Sequence, residues 1–208
     1  MGLNEIEAIS ASAALIFVAA ITPGPNNLVV LRIAAGQGVK SAFPAMAGVV
    51  VGGLAMFLLG QFSLAVLVHE HPWLSTAMMT CGAAYLAWLG INLVRDSFVT
   101  PSPSARLNSN FPQGAFALLA FQFANPKSWI LVLTVTAAAQ SAAAGQSVTT
   151  TVALVALFVV IPCGCLLAWA ALGRAVARTI LNPKSRARFD RAMGSLLAAS
   201  AIFLLIHR

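Results

Sequence analysis

Long apolar runs, separated by short polar or basic stretches, dominate the hydrophobic pattern of this chain. The first three runs cover residues 6–31, 40–69 and 73–94. Each is about as long as the ~20 apolar residues that a membrane-spanning helix needs. The letters TPGPNN interrupt the first run at residues 22–27. The pattern therefore predicts three transmembrane helices, the first of which is broken.

The fourth run repeats this interruption. It begins near Gln113 and is broken by the letters ANPKSW at residues 124–129. No charged residue follows between 128 and 173, a stretch too long for one helix. The polar, small-residue patch at 140–147 is therefore predicted to be a turn.

Two further helices complete the chain. The fifth run, about 148–172, contains Pro162, where we expect a kink. The sixth run, 192–206, is short for a span, so flanking Arg191 and Arg208 should extend to the membrane surface. The prediction is one all-α membrane domain, 1–208, with six transmembrane helices. Its parts are a first repeat over about 1–96, a loop at 97–112 and a second repeat over about 113–208.

Composition agrees with a bilayer as the main surroundings of the chain. Hydrophobic residues make up 60% of the sequence and charged residues only 8%, against about 25% in soluble domains. The net charge of +7 could suggest nucleic acid, but the basic residues fill the gaps between apolar runs, so no nucleic-acid partner is predicted. Glu5 and Glu7 stand where a signal peptide would be basic, so we expect the first run to be retained.

The positions of the basic residues predict the orientation. Loops one–two, three–four and five–six hold ten of the twelve Lys and Arg residues. Because cytoplasmic loops carry an excess of positive charge, these loops are predicted inside and both termini outside. The ten residues are Arg32, Lys40, Arg95, Arg106, Arg174, Arg178, Lys184, Arg186, Arg188 and Arg191.

The two interruptions fall in matching places. Each lies in the first helix of a three-helix half, and an odd number of helices gives the halves opposite orientations. Paired broken helices in inverted halves indicate the central site of a secondary transporter. Non-helical backbone at membrane depth persists only inside protein or beside a wet cavity. The half-helix that begins near Asn26 would point its free N–H groups at a carboxylate. The predicted substrate-binding residues are Thr22, Pro23, Gly24, Pro25, Asn26, Asn27, Gln122, Asn125, Pro126 and Lys127.

Lys127 is the most informative of these residues. In the hydrophobic pattern, Lys127 is the only Lys or Arg inside an apolar run. Inserting a charge at the centre of a membrane helix costs about 2.5 to 3.5 kcal/mol. Ionisable residues in such places are candidates for function. The alternative is that Lys127 lies near the interface and extends to the surface. No Asp or Glu falls within a predicted span, so the groups present suit a carboxylate-bearing, overall neutral solute.

Two further features of the sequence have both a structural and a functional interpretation. Tyr85 and Asn92 recur at helical spacing with Trp88 and are secondary site candidates, whereas Trp88 itself is predicted to pack. Gly48 and Gly52 form a GxxxG pair, which favours close packing within the chain over a homodimer face.

The cysteines, all in apolar runs, are interpreted as small packing residues. No metal-ligand grouping accompanies them, and no metal or other cofactor is predicted. The three are Cys81, Cys163 and Cys165.

Four segments in order resemble the lysine exporter (LysE/RhtB-type) family of amino-acid exporters. They are TPGPNN at 22–27, AGVVVGG at 47–53, GAAYLAWLG at 82–90 and FANPKSW at 123–129. The resemblance implies a six-helix inner-membrane carrier that exports amino acids or derivatives, using the proton gradient. The family motif residues map onto Thr22–Asn26 and Asn125–Lys127. The doubled Asn looks most like the cysteine and O-acetylserine exporter branch, and threonine, homoserine and branched-chain exporters share most of these features.

Two other classes remain as alternatives. An intramembrane thiol-redox enzyme would share the six-helix outline but would need paired cysteines at the breaks, where this chain has Pro and Asn. A scaffold protein would explain the spans but not the matched breaks. No hydrolase motif is present, so the chain is not predicted to be an enzyme.

Overall fold

The computed structural model describes residues 3–61, 72–98, 114–142, 148–178 and 182–206, and within them every regular element is a helix. The all-α prediction therefore holds for this part of the chain. In chain order the helices are α1 (Leu3–Ile21), α2 (Pro25–Gln37), α3 (Val39–Leu59), α4 (Pro72–Asp96), α5 (Ala115–Phe123), α6 (Pro126–Ala142), α7 (Val148–Ala177) and α8 (Pro183–Ile206).

Both predicted breaks are present. Glu5–Ile21 and Pro25–Gln37 meet at a bend of 50°, and Ala115–Phe123 and Lys127–Ala138 meet at a bend of 66°. By length and composition, α3 and α7 are each able to cross a membrane, and each bent pair could form one further span. The described residues thus supply up to four candidate spans.

Two helices are longer than the hydrophobic pattern predicts. The sixth run was expected to start at 192, but α8 begins at Pro183 and contains basic residues assigned to a loop. Arg32 was also assigned to a loop, yet it lies within α2, which continues to Gln37 and ends before Gly38 at φ 90°. Arg32 thus belongs to a helix and not to a loop, and there it pairs with Asp190. The placement of Lys127 inside a span stays a prediction.

Of the other boundaries, the end of α4 agrees with the pattern, whereas residues 140–142 of the predicted turn are helical. α7 continues through Pro162, α4 ends at Asp96, and α6 continues to Ala142. The end of the second run, most of the loop at 97–112 and the rest of the turn at 140–147 lie outside the described residues.

Small residues permit the closest helix contacts. A Cβ on Gly48 would lie 2.0 Å from the Ala115 carbonyl oxygen, and one on Gly52 would lie 2.9 Å from Gln122 Cβ. The GxxxG face of α3 is therefore covered by α5, which confirms packing within the chain. Between α4 and α8, Gly90 and Gly194 approach just as closely.

Two buried apolar clusters fill the interior. The larger joins residues of α2, α3, α4, α5, α7 and α8. The smaller joins α1, α3, α6 and α7 around the stacked rings of Phe57 and Phe158, whose centroids are 4.5 Å apart. Large apolar side chains also face outward, among them Phe116, Val160 and Ile202. Such an apolar exterior suits hydrocarbon surroundings.

Candidate functional site

The first break is held open by a buried amide. α1 ends at Ile21 and α2 begins at Pro25, and Gly24 at the start of α2 provides no side-chain cap. Asn27 Nδ2 donates to the carbonyl oxygens of Ala20 and Thr22, both at 2.8 Å. Because buried carbonyls are costly when unpaired, these bonds stabilise the non-helical segment. Asn27 is therefore a structural support of the break.

The second break uses different groups for the same purpose. α5 ends at Phe123 and α6 begins at Pro126. Trp129 Nε1 donates to the Phe123 carbonyl oxygen at 2.7 Å, and the Lys127 backbone N–H donates to Asn125 Oδ1 at 3.2 Å. Asn125 and Trp129 are both buried. An indole at the end of α5 and an amide at the start of α6 thus satisfy the freed backbone groups.

Side chains from the two breaks meet. Lys127 Nζ donates to Thr22 Oγ1 at 2.7 Å and to the Thr22 carbonyl oxygen at 3.2 Å. Asn26 Nδ2 donates to Gln122 Oε1. The arrangement is reciprocal, because the second residue of α2 reaches the α5 end and the second residue of α6 reaches the α1 end. The Lys127 ammonium therefore lies at the break and does not extend away from it.

A cavity of about 70 Å³ lies between the breaks. At about 30 Å³ per water molecule in the liquid, it has room for about two waters. Ligand pockets usually measure about 300–1,000 Å³, so an amino acid needs the walls to move apart. Its polar walls are Asn26, Asn27, Gln122, Asn125, Lys127 and Ser128, and its other lining residues are Ala19, Ala20, Gly24, Pro25, Val49, Leu131, Pro162 and Leu166.

A larger cavity of about 760 Å³ adjoins it. Residues of α1, α6 and α8 form its mostly apolar walls, and Thr22 and Pro23 lie along it. Gly24, Asn125 and Lys127 line both cavities. Thr22 and Pro23 do not line the small cavity, but they line this larger one.

The secondary candidates lie elsewhere. Tyr85 stacks on Trp88 and meets the edge of Phe121, at centroid distances of 5.8 and 5.3 Å. Trp88 keeps 47% of its surface exposed, so it packs through one face only. Asn92 is partly buried on the same helix, and neither Tyr85 nor Asn92 lines the two cavities.

Sequence reasoning did not single out Ser128. Ser128 is buried and donates from Oγ to Gln122 Oε1 at 3.0 Å. Its position directly after Lys127, at the start of a half-helix, was the available signal. Gln122 therefore accepts hydrogen bonds from a residue of each break, Asn26 of the first and Ser128 of the second.

No cysteine lies in the sequence of either break, and none lines the two cavities. Cys81 is exposed on α4, Cys163 is partly buried on α7, and Cys165 is buried on α7, all as free thiols. Cys163 packs against the larger apolar cluster. Within the ranges that the structure describes, no three His, Cys, Asp or Glu residues come together as a metal site.

Comparison with known proteins identifies the family. The profile of the LysE type translocator family matches residues 17–208, so the chain belongs to that family. It is 30% identical over 119 residues to the cysteine/O-acetylserine efflux protein of Klebsiella pneumoniae, which covers 57% of this chain and 58% of that protein.

Two further relatives are similar over shorter stretches. The chain is 32% identical over 110 residues to the leucine efflux protein of Salmonella typhimurium, covering 52% of this chain and 51% of that protein. It is 36% identical over 78 residues to an uncharacterised membrane protein of Pseudomonas aeruginosa, covering 38% of this chain and 36% of that protein. The chain thus matches about one third to three fifths of the length of these relatives. No solved structure matches it.

Proposed function

We propose that this chain is a secondary exporter of amino acids or close derivatives, with its substrate site between the two helix breaks. The observation that carries this proposal is the pairing across the breaks of Lys127 with Thr22 and of Asn26 with Gln122. These contacts bring a cation and several amides together beside non-helical backbone. Relatives named for cysteine/O-acetylserine and leucine efflux support amino acids as the substrate class.

The chemistry of the cavity suits a zwitterion. Lys127 supplies a positive charge for a carboxylate, and such charge-assisted hydrogen bonds are stronger than neutral ones. Amide groups of Asn26, Gln122 and Asn125 offer neutral donors and acceptors for the remaining polar groups. No carboxylate side chain lines the cavity, so a substrate that is only cationic would find no counter-charge.

Helix packing supports two inverted halves. In the proposed repeat, α1 to α4 correspond to α5 to α8, and each contact between halves should have an exchanged counterpart. α1 packs on α7 as α5 packs on α3, and α2 meets α7 and α8 as α6 meets α3 and α4. The contact of α1 with α6, by contrast, has no comparable counterpart between α5 and α2 in the part of the chain that the structure describes. Two contacts are their own counterparts when the halves are exchanged: α3 with α7, and α4 with α8. This pattern supports six spans that rock about the central site.

Contacts at one end of the bundle support the proposed orientation. Arg32 Nε pairs with Asp190 Oδ1 at 3.0 Å, and the Arg191 guanidinium lies 5.0 Å from the Phe98 ring centroid. Residues from all three proposed cytoplasmic connections thus meet. We place this end in the cytoplasm of the inner membrane, with both termini outside, and propose that the proton gradient drives export.

Efflux from proteoliposomes tests the function. Vesicles containing the purified chain are loaded with one labelled amino acid at a time, covering cysteine, O-acetylserine, leucine, threonine and homoserine, with and without a proton uncoupler. We expect efflux of at least one of them, and its loss on adding the uncoupler. Efflux of none of them would refute the proposal.

Matched lysine variants test the site. Lys127→Ala should abolish most of the efflux because it removes the cation at the break. Lys40→Ala, an exposed lysine on α3, serves as the control and should leave efflux unchanged. Equal efflux by the two variants, at equal membrane amounts, would sink the site assignment while leaving the export proposal standing.

A further inference from the structure

The amide of Asn26 is held in one orientation by Gln122. Gln122 is only 7% exposed, and its Oε1 accepts hydrogen bonds from Asn26 Nδ2 and from Ser128 Oγ. An amide oxygen has two lone pairs, and both are used here. The NH₂ group of Asn26 is therefore directed at Gln122, and its carbonyl oxygen must point elsewhere.

That carbonyl oxygen is buried and unpaired. Asn26 Oδ1 has no hydrogen-bond partner among the described residues, and Asn26 lines the small cavity between the breaks. Leaving a buried acceptor unsatisfied is destabilising. Native structures keep few such groups, and those they keep call for an explanation, often a functional one.

The neighbouring amide shows the contrast. Asn27 directs its Nδ2 at two backbone carbonyls of the first break and so supports the backbone. Asn26 makes no such local bond and instead reaches across to the other half of the chain. Two adjacent Asn residues thus have different tasks, which their identical chemistry does not reveal.

Asn26 Oδ1 has almost no accessible surface in this arrangement, so a ligand would reach it when the cavity walls move apart. Lys127 brings an ammonium group that repels another cation and attracts an anion, whereas Asn26 Oδ1 is a pure acceptor. We infer that Asn26 Oδ1 accepts a hydrogen bond from the α-ammonium group of the transported amino acid, and that Gln122 and Ser128 are positioning residues that aim this oxygen. The inference rests on the proposed export function and assigns the polarity of the same site.

The remainder of the substrate then has a defined direction. With the ammonium group on Asn26, the carboxylate falls toward Lys127, one of the residues that line both cavities. The mostly apolar space of about 760 Å³ beyond it is open, with exposed side chains such as Val18 and Ile130 in its walls, and has room for a side chain. A compact polar end and a roomy apolar end match the shape of an α-amino acid.

The test compares an amino acid with its 2-hydroxy analogue. Proteoliposomes exchange labelled leucine against unlabelled leucine or 2-hydroxy-4-methylpentanoate, and labelled cysteine against cysteine or 3-mercaptolactate. The hydroxy analogues keep the carboxylate and the side chain and replace the charged ammonium group with a neutral hydroxyl, which is a weaker hydrogen-bond donor. The intact chain should prefer the amino acid over its analogue by at least about tenfold, the value of a hydrogen bond to a charged group.

Three variants separate the roles. Asn26→Ala should weaken the apparent affinity for the amino acid by about tenfold or more and change that for the hydroxy acid little, so that the preference falls toward one. Asn26→Asp keeps an acceptor oxygen and should retain the preference, which also guards against misfolding as the cause. Gln122→Leu should lower the preference because the Asn26 amide becomes free to rotate.

Each result of these exchange experiments would overturn a different claim. If Asn26→Ala weakens both probes equally, Asn26 is a structural residue and the inference is wrong, although export stands. If Gln122→Leu keeps the full preference, the positioning role is wrong. If the intact chain exchanges neither leucine nor cysteine and the wider panel also shows no efflux, the inference fails together with the proposed function.

Discussion

The two broken helices reach the same cavity with different supports. At the first break, polar groups hold the chain: Asn27 ties two carbonyls, and Arg32 joins α2 to Asp190 of α8. At the second break, α5 lies directly on the glycines of α3, and an indole closes the end of the helix.

This difference shows that two helix breaks can lie beside the same cavity while different side chains stabilise them. Both segments free backbone groups inside the protein, and any buried donor or acceptor that reaches them satisfies the same physical need. The Asn27 amide does this at the first break, and the Trp129 indole and the Asn125 amide do it at the second.

Removing the ion pair between Arg32 of α2 and Asp190 should have the largest effect on stability. Arg32→Met leaves the Asp190 carboxylate without its partner at a site where Arg32 is 4% exposed. Removing one member of a buried pair costs about 3–5 kcal/mol of unfolding free energy. Denaturation of the purified chain in detergent measures this loss. The double change Arg32→Met with Asp190→Leu should recover most of the stability, and a double variant as unstable as the single one would contradict the assignment.

Crowding the glycine contact of α5 comes next. In Gly48→Ala the new methyl group meets the Ala115 carbonyl 2.0 Å away, and such overpacking costs about 1–3 kcal/mol. Gly164→Ala on α7 is the matched control, because nothing lies within 4 Å of its added methyl group. The control should be neutral or slightly stabilising, since Ala favours helix over Gly. Similar melting temperatures for the two variants would show that α5 does not depend on this contact.

Removing the side-chain hydrogen bonds to the backbone carbonyls of the breaks tests the comparison most directly. We expect its effects on the free energy of unfolding to be the smallest. Asn27→Leu deprives the Ala20 carbonyl of this donor, and Trp129→Phe does the same for the Phe123 carbonyl. Each should lose about 1–2 kcal/mol, near the lower part of the cost of one unsatisfied buried acceptor. Detergent unfolding of both variants should give comparable losses. A loss in one variant alone would mean that only one break relies on its side-chain tie.

The sequence predicted the architecture better than the contacts. Apolar runs and the Pro-containing interruptions were enough to locate both breaks, because proline and uncharged length act locally. The extent of α2 was mispredicted, since the partner of Arg32 is 158 positions away and no local pattern reveals it. The same applies to α8, where basic residues in the first turns were taken for a loop.

Within the site, residue types were predictable and their tasks were not. Asn26, Gln122, Asn125 and Lys127 were singled out as polar groups near prolines, and the structure brings them to one cavity. That Asn27 supports the backbone while Asn26 reaches across follows only from helix orientation. Ser128 was missed because a serine at a helix start is ordinary in any sequence.

In the proposed exporter, the ammonium of Lys127, beside Thr22 at a helix break, has an electrical consequence. A fixed positive charge inside the bilayer experiences the membrane potential, and moving one elementary charge through all of it involves about 2.3 kcal/mol per 100 mV. Any shift of α6 along the membrane normal carries this charge through part of that field. Transport of a solute with no net charge would then depend on voltage, and the current would report the movement of the protein itself.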